Sequence, residues 1–196
     1  LVGPAATAEK DLKALLKAAK AQPEHWSYAS SGLGTSQHLG GELLNQLAGT
    51  DIVHVPYKGG GQAVSDVVGN QIPLGLLGVS PVLAHIKEGR LKAYAVTSTF
   101  RIDSLPDVPT MQEAGIPDYD ATQWYIMAAP SGLPADRVQR LNAALNKIMK
   151  SDELKPALEA SGSVSKTMTP EETTAFVQDD YKHWGELVQK ANLPLQ

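Results

Sequence analysis

The sequence predicts an α/β fold in which a mostly parallel sheet is flanked by helices. Over residues 1–98, segments with helical periodicity alternate with short β-branched runs, and short connections join them. This alternation is typical of βαβ units, whose right-handed crossovers cover both faces of a sheet. Three turns rich in glycine or serine each follow a predicted strand. We therefore expect them to meet at the carboxyl edge of the sheet, where α/β folds bind ligands.

The first predicted helix begins after Thr7, a favourable N-cap residue, and ends at Pro23. Its apolar residues recur at helical spacing, at Leu12, Leu15, Leu16 and Ala19. A short strand over residues 27–29 follows. The next predicted helix covers residues 36–47, because leucines lie on one side of it and Gly49 is a typical helix stop.

The remaining elements of the first half continue the same alternation. β-Branched and apolar runs predict strands at 52–55, 72–77 and 91–97. Between them, one helix is predicted after the glycine turn 57–61. Another is predicted at Ser80, which reads as an N-cap because a proline follows it at the first helical position.

The composition changes after this alternating half. Residues 99–121 are rich in Pro, Asp and Thr, and we expect them to cross between two domains. One short helical turn is predicted within them, because Thr110 and Glu113 have the spacing of a capping box. The sequence thus predicts a boundary near residue 121.

Residues 122–196 are predicted to form three amphipathic helices and only two strands, at 124–129 and 163–167. The helices begin at Pro134, at an N-cap Ser151 and at a capping box of Thr169 and Glu172. The last helix should bury a stripe made of Val177, Tyr181, Trp184 and Val188. Such helices need a sheet to cover, and this part of the sequence offers too few strands to build one.

Residues 28–38, YASSGLGTSQH, have the clearest binding potential. Gly32 and Gly34 allow positive φ and a close approach of the backbone to a bound group. Thr35 and Ser36 are good N-cap residues for the helix that follows. A helix start leaves N–H groups unpaired beside a partial positive charge, which suits a carboxylate or phosphate. We interpret the segment as a carboxylate site; the alternative is an ordinary β-to-α turn.

Composition excludes several other classes of function. The net charge of −4 argues against nucleic acid or an anionic membrane as the main partner. The chain has no cysteine, so it has no disulfide, thiolate metal site or cysteine nucleophile. Its five histidines lack the spacing of metal ligands, and we expect no metal or other cofactor. Because the chain starts at Leu1 without a signal region, we expect a mature, trimmed or fragmentary form.

Five segments carry a resemblance to a known family. They are 28–39 (YASSGLGTSQHL), 53–59 (VHVPYKG), 85–97 (HIKEGRLKAYAVT), 105–110 (LPDVPT) and 128–134 (AAPSGLP). In their sequence, order and spacing they resemble the solute-binding receptors of tripartite tricarboxylate transporters, the Bug or TctC-like proteins. The resemblance extends over nearly the whole chain.

The resemblance implies a bilobed protein of the type II periplasmic-binding class, with a mostly parallel sheet in each lobe. Residues 1–121 would form the second ligand-binding lobe, with 99–121 as the crossing segment. Residues 122–196 would be the C-terminal part of the first lobe. Family members have an N-terminal stretch that is absent here, so this first lobe would be incomplete. The missing part would be deleted, cleaved, or supplied by an oligomer or a second chain.

The resemblance also implies a function. A protein of this kind is periplasmic, performs no catalysis, and captures a small di-, tri- or aromatic carboxylate for membrane subunits of the transporter. The residues alone leave two alternatives open. One is a binding module of a carboxylate-sensing system. The other is a serine hydrolase in which Ser30 or Ser31 works with His38, although the segment is not a G-x-S-x-G elbow.

The family's ligand loop falls on one run of this sequence, made of Ser30, Ser31, Gly32, Gly34, Thr35 and Ser36. In the family, amides and hydroxyls of this loop hold a carboxylate. The other two turns at the same edge add Tyr57, Lys58, Gly78 and Ser80 as expected contacts. Many members have Phe-Asp where this chain has Leu76 and Leu77. That difference disfavours an amino-acid ligand and favours a carboxylate packed on an apolar wall.

Overall fold

The computed structural model describes residues 1–190, so the end of the predicted segment 122–196 lies outside the described residues. The chain forms two compact units, Leu1–Gln123 and Trp124–Gln196. The first unit contains β1 (Val2–Pro4), α1 (Leu12–Ala21), β2 (Ser27–Ser30), α2 (Ser36–Ala48), β3 (Val53–Pro56), α3 (Gly60–Val68), β4 (Leu74–Gly75), α4 (Val79–Lys87) and β5 (Leu91–Ala93). The second contains α5 (Ala135–Met149), α6 (Lys155–Ser161) and α7 (Pro170–Lys190).

The first unit is built on a five-stranded mixed sheet with the strand order β3-β2-β4-β1-β5. β2 is parallel to β3 and to β4, as the alternation of helices and strands predicts. β1 is antiparallel to both β4 and β5. The sequence prediction missed β1, because three residues that include a glycine and a proline carry no strand periodicity. The α/β class is confirmed, with this antiparallel strand inserted near one edge.

Helices cover both faces of this sheet. Ala29 of β2 belongs to a buried cluster with Val64 and Val67 of α3. Its neighbour Tyr28 lies against Gly41 of α2. Because consecutive strand residues point to opposite faces, α3 and α2 lie on opposite sides of β2. This layering brings the start of each helix back to the end of the strand before it.

Two helix starts in the first unit differ from the predicted ones. The N-cap of α1 is Asp11, whose Oδ1 accepts a hydrogen bond from Ala14 N at 2.8 Å. Thr7 instead offers its carbonyl oxygen to Lys92 Nζ at 2.8 Å. The N-cap of α4 is Gly78, so Ser80 lies inside the first turn. An aspartate close to the apolar stripe competes better for the capping position than a threonine one turn earlier.

Two strands are shorter than predicted. The strand predicted over 72–77 is reduced to Leu74–Gly75, since Pro73 has no N–H to donate to a ladder. The strand predicted over 91–97 ends at Ala93. Beyond it, Val96 forms an isolated parallel bridge with Thr110 of the crossing segment. The last residues of this apolar run therefore pair with a segment distant in sequence instead of continuing the strand.

In the second unit, α7 packs against α5, and the predicted capping box is formed. Glu172 N donates to Thr169 Oγ1 at 3.1 Å, and Thr169 N donates to Glu172 Oε2 at 2.8 Å. α6 begins at Lys155 with Leu154 as its N-cap, so the predicted N-cap Ser151 lies outside the helix. The predicted buried stripe is wrong at Tyr181, which is 79% exposed, whereas Leu187 is 4% exposed.

The two strands predicted for the second unit are absent from its described residues. At 124–129, Tyr125 is 83% exposed, and the Trp124 indole donates to Asp180 Oδ2 of α7 at 3.0 Å. The segment 163–167 is followed by Met168, whose carbonyl accepts from Asn142 Nδ2 of α5 at 2.9 Å. An extended run becomes a strand only beside another strand, and the described part of this unit supplies none. Across residues 1–190, no helix combines the length and apolarity needed to cross a bilayer.

Candidate functional site

Three turns of the first unit meet at one edge of the sheet. β2, the middle strand of the parallel trio, pairs Ser30 with Pro56 of β3 and Ala29 with Gly75 of β4. The three strands therefore end side by side. They lead into α2, α3 and α4, whose N-termini all begin at this edge. The sequence prediction that these turns converge is confirmed by the strand register.

The first of these turns, residues 30–36, is called the anion loop below. Several of its amides are already bound by side chains. Ser31 N donates to Gln37 Oε1 (2.8 Å), Gly32 N to Ser30 Oγ (3.1 Å) and Gly34 N to His38 Nδ1 (3.1 Å). These bonds hold the loop from within. They also mean that only part of its backbone is available to a ligand.

The other amides at the start of α2 remain available. In the described part of the chain, the amides of Leu33, Ser36 and Gln37 have no hydrogen-bond acceptor. Thr35 is the N-cap: its Oγ1 accepts from His38 N at 3.3 Å and donates to Gly32 O at 2.7 Å. Thr35 and Ser36 are both partly exposed. Unpaired amides at a helix N-terminus, open to solvent, form a site suited to an anion.

Two glycines give the anion loop its path. Gly34 has φ +72°, which L-residues with a side chain rarely adopt, although a Cβ there would meet no atom within 4 Å. Gly32 has φ +148°, and its Cβ would lie 3.4 Å from Tyr57 O. Gly34 is therefore required for backbone conformation and not for space. The open space beside it leaves room for a bound group.

The second turn supports the first but offers fewer contacts than predicted. Gly59 N donates to Ser31 O at 3.1 Å, which ties the two turns together. The Tyr57 hydroxyl donates to Asp66 Oδ2 of α3 at 2.7 Å. Partial burial and this hydrogen bond raise the pKa of Tyr57 to about 12. Tyr57 is thus turned toward α3 and the core, whereas Lys58 is exposed.

The third turn lies on the other side of the anion loop. Leu76 is buried, and its amide donates to Ala29 O at 2.9 Å. Leu77 is half-buried, and Gly78 caps α4 without a side-chain hydrogen bond. Ser80 is exposed in the first helical turn. Both leucines lie at the same edge as the amides of α2, and the apolar wall that they would offer a ligand stays a prediction.

A pair of histidines beneath the anion loop is the feature that sequence reasoning missed. The rings of His38 and His54 stack with centroids 4.0 Å apart. His54 Nε2 lies 2.7 Å from Ser30 Oγ. The bond from Gly34 N shows that His38 braces the loop, whereas the sequence suggests His38 as a partner of Ser30 or Ser31 and indicates no role for His54. Only the register of β3 against β2, which pairs His54 with Tyr28, reveals the cluster.

Both histidines are held in their uncharged forms. Burial lowers the pKa of His54 to about 4, and the nearby His38 lowers it further in the same direction. Burial also lowers the pKa of His38, while Glu42, whose Oε1 is 3.9 Å from His38 Nε2, acts against it. Since His38 Nδ1 accepts from Gly34 N, the neutral ring carries its proton on Nε2.

The lowered pKa of His54 predicts that the folded chain loses stability in acid. As pH falls from about 6.5 the unfolded state takes up the proton first, so the free energy of unfolding falls until about pH 4. After allowance for solvent screening, we expect a loss of about 1–2 kcal/mol. Urea denaturation across this range measures it. His54→Gln should make the free energy of unfolding less dependent on pH, whereas the exposed-site variant His25→Gln should not. An equal pH dependence in the wild type and both variants would show that His54 does not cause the loss.

The geometry changes the hydrolase alternative. The serine that approaches a histidine is Ser30, and its partner is His54 instead of the predicted His38. Ser30 is 0% exposed, and its Oγ also accepts from Gly32 N. A hydroxyl with no accessible surface is poorly placed to attack a substrate. Among residues 1–190, no three His, Asp or Glu side chains gather closely enough to hold a metal ion.

Comparisons with known proteins place these features in context. A family model described as "Tripartite tricarboxylate transporter family receptor" matches residues 1–193. A protein of Pseudomonas sp. (strain P51), "UPF0065 protein in tcbD-tcbE intergenic region", is 37% identical over 98% of this chain and 58% of its own length. "Protein BugT" of Bordetella pertussis is 34% identical over 94% of this chain and 57% of its own length.

A solved structure with a bound dicarboxylate is also similar. "R. palustris Rpa4515 with adipate" is 26% identical, with a TM-score of 0.87, over 98% of this chain and 64% of that chain. The present chain therefore spans less than two thirds of the length of these relatives. The likeness covers both units of the chain.

Proposed function

Because the chain belongs to the tripartite tricarboxylate transporter receptor family, we propose that it takes part in capturing a small carboxylate in the periplasm for membrane subunits of a tripartite transporter. The observation that carries the proposal is the row of unpartnered amides at the start of α2. A carboxylate seated there would be bound by the backbone, without any chemical change.

The energetics of this site favour a carboxylate of modest affinity. Each hydrogen bond from an amide to a charged acceptor contributes about 1.5–3 kcal/mol. The N-terminus of α2 adds roughly 0.3–1 kcal/mol. Two such bonds and the helix terminus amount to about 3–7 kcal/mol, which corresponds to dissociation constants from several millimolar to roughly ten micromolar. A second contact surface would be needed for tighter binding.

The surroundings of the amides suggest which carboxylates fit. Leu76 and Leu77 follow β4 beside the anion loop; Leu76 is buried and Leu77 is half-buried, and neither supplies a carboxylate for a ligand amino group. We therefore propose a plain dicarboxylate, a tricarboxylate or an aromatic acid as ligand. The adipate bound by the R. palustris relative is a dicarboxylate of this kind.

We further propose that residues 1–121 act as one ligand-binding lobe and that 122–190 belong to another. The relatives are longer than this chain, so a second lobe has room to be completed by sequence outside it. The amides of α2 would then hold one end of the ligand while a second lobe closes over the other. The same site would equally serve a carboxylate-sensing system.

A thermal-shift screen tests this function. We expect C4–C6 dicarboxylates, citrate or benzoate at millimolar concentration to raise the unfolding temperature by a few degrees, as roughly 1 kcal/mol of binding energy would. The corresponding alcohols and amides should have no effect, since they lack the charge. Stabilisation by the amides as strong as by the acids would contradict a carboxylate site. Hydrolysis of p-nitrophenyl esters that is lost in Ser30→Ala or Ser31→Ala would favour the hydrolase alternative.

A further inference from the structure

A buried histidine, His38, and a half-buried one, His54, lie beside the proposed carboxylate site, and their contacts suggest a role beyond packing. We propose that His38 and His54 position the anion loop, and that His38 does so only while its ring is uncharged, so that a proton entering His38 loosens the loop and releases the carboxylate. This inference rests on the proposed function of the same loop. It adds a linkage between ligand binding and proton uptake.

The first step concerns His38 and the backbone of the loop. Gly34 N donates to His38 Nδ1 at 3.1 Å, so this ring nitrogen must present a lone pair. A proton bound at Nδ1 would turn the acceptor into a donor and place it against the Gly34 N–H. The hydrogen bond would then be lost, and the two like dipoles would repel each other. Gly34 shortly precedes the available amides of Ser36 and Gln37, so its displacement changes their direction.

The second step concerns His54. Its Nε2 lies 2.7 Å from Ser30 Oγ, and that hydroxyl accepts from Gly32 N at 3.1 Å. The same hydroxyl donates its proton to Gly32 O at 3.1 Å, so His54 Nε2 donates to Ser30 Oγ and holds the other end of the anion loop through it. Because its ring stacks on that of His38 at 4.0 Å, a charge on either ring raises the cost of a charge on the other. At most one ring of the pair therefore takes up a proton readily.

Two tyrosines and one glutamate also face the histidine pair. The tyrosines do not change their charge when the pH falls. From β2, the Tyr28 hydroxyl lies 2.9 Å from both His38 O and Glu42 Oε1, and these two acceptors share its one proton. From the crossing segment, the Tyr119 hydroxyl donates to Gly40 O at 2.9 Å. Burial raises the pKa of both tyrosines, so they stay protonated. Glu42 on α2 is the acidic group facing His38, and it attracts the entering proton.

The proton balance is simple. One proton passes from solvent to His38 Nδ1, the hydrogen bond from Gly34 breaks, and no covalent bond other than N–H is formed. A positive ring under an anion would also attract that anion, which opposes release. Because the ring is buried and points its Nδ1 at the backbone, we expect the loss of loop geometry to exceed this attraction.

Nuclear magnetic resonance of the unliganded chain tests the positioning step. The ring nitrogens of His38 and the amide of Gly34 are followed from neutral pH into acid. We expect an unprotonated Nδ1 at neutral pH and a shared midpoint for the ring and the amide, below the ordinary histidine pKa of about 6.5. A ring that titrates while the Gly34 amide stays unchanged, or an Nδ1 protonated at neutral pH, would overturn the inference.

Calorimetry tests the link to binding, with adipate and benzoate as probes near pH 7.5 and near pH 5. His38→Gln can still accept from Gly34 but cannot titrate, and His25→Gln changes an exposed histidine in the same way. Protonation of the ligand itself lowers affinity equally in all three proteins, so it cancels when they are compared. Between the two pH values we expect the wild type and His25→Gln to lose about tenfold more affinity than His38→Gln.

The outcomes of this comparison are distinct. Equal losses in the three proteins, or a wild type that binds more tightly in acid, would overturn the inference while leaving the proposed function intact. Absence of binding by both probes at the higher pH would count against the proposed function and against release. In that case the resonance measurement still decides whether the neutral pair positions the loop.

Discussion

Replacing Ser36 with proline is expected to remove most carboxylate binding while leaving the fold intact. Ser36 is the first residue of α2, where proline is well tolerated because the position has no intrahelical hydrogen bond to lose. Thr35 before it has φ −75° and ψ 160°, the extended conformation that a following proline prefers. The substitution therefore deletes one amide donor without straining the helix. We expect a loss of about 1.5–3 kcal/mol, or roughly 10- to 150-fold in the dissociation constant.

The matched control for this prediction is Ser36→Ala, which removes the hydroxyl but keeps the amide. We expect its loss of affinity to be clearly smaller than that of Ser36→Pro. Calorimetry with the best acid from the thermal-shift screen measures binding, and the unfolding temperature without ligand checks the fold. Equal affinities of the proline and alanine variants, in two equally stable proteins, would show that the backbone at this position does not bind the carboxylate.

Gly41→Ala is expected to have the largest effect on stability. A Cβ at Gly41 would overlap the ring and hydroxyl atoms of Tyr28. Tyr28 is 2% exposed, and its hydroxyl is held by His38 O and by Glu42, so the ring has little freedom to move aside. Overpacking of a tight core costs typically 1–3 kcal/mol, and we expect about 3 kcal/mol or more here. This is a large share of the roughly 5–15 kcal/mol that keeps a domain folded.

Urea denaturation measures this loss, with Gly61→Ala as control. Gly61 lies in α3, and a Cβ there would meet no atom within 4 Å. Alanine in a helix is favoured over glycine by about 1 kcal/mol, so the control should be unchanged or slightly more stable. A Gly41→Ala protein within about 0.5 kcal/mol of wild type would show that α2 and β2 are packed less tightly than described.

The candidate site shows how far sequence reasoning reaches. The glycines and the N-cap at Thr35 point to a strand–turn–helix with an anion-binding terminus, because those residue types have local conformational preferences. The structure supports the N-cap directly, since Thr35 Oγ1 accepts from His38 N. The same reasoning placed Ser30 among the ligand contacts, and the structure instead buries its side chain against His54. The contact of Ser30 with a residue 24 positions later depends on strand register, which local preferences do not contain.

The same division holds for the fold. By itself, the sequence determined where the helices and the parallel strands β2, β3 and β4 follow one another along the chain. Periodicity and turn residues reveal this because they act within a few positions. It also determined the capping box of Thr169 and Glu172 for the same reason.

Only the tertiary structure decided the antiparallel insertion of β1, the absence of strands from the described second unit, and the histidine pair under the anion loop. It also decided which loop amides remain available, since Gln37, Ser30 and His38 occupy three of them. Hydrogen bonds and packing between distant segments form only once the chain is folded, and they overrule weak local preferences wherever the two disagree.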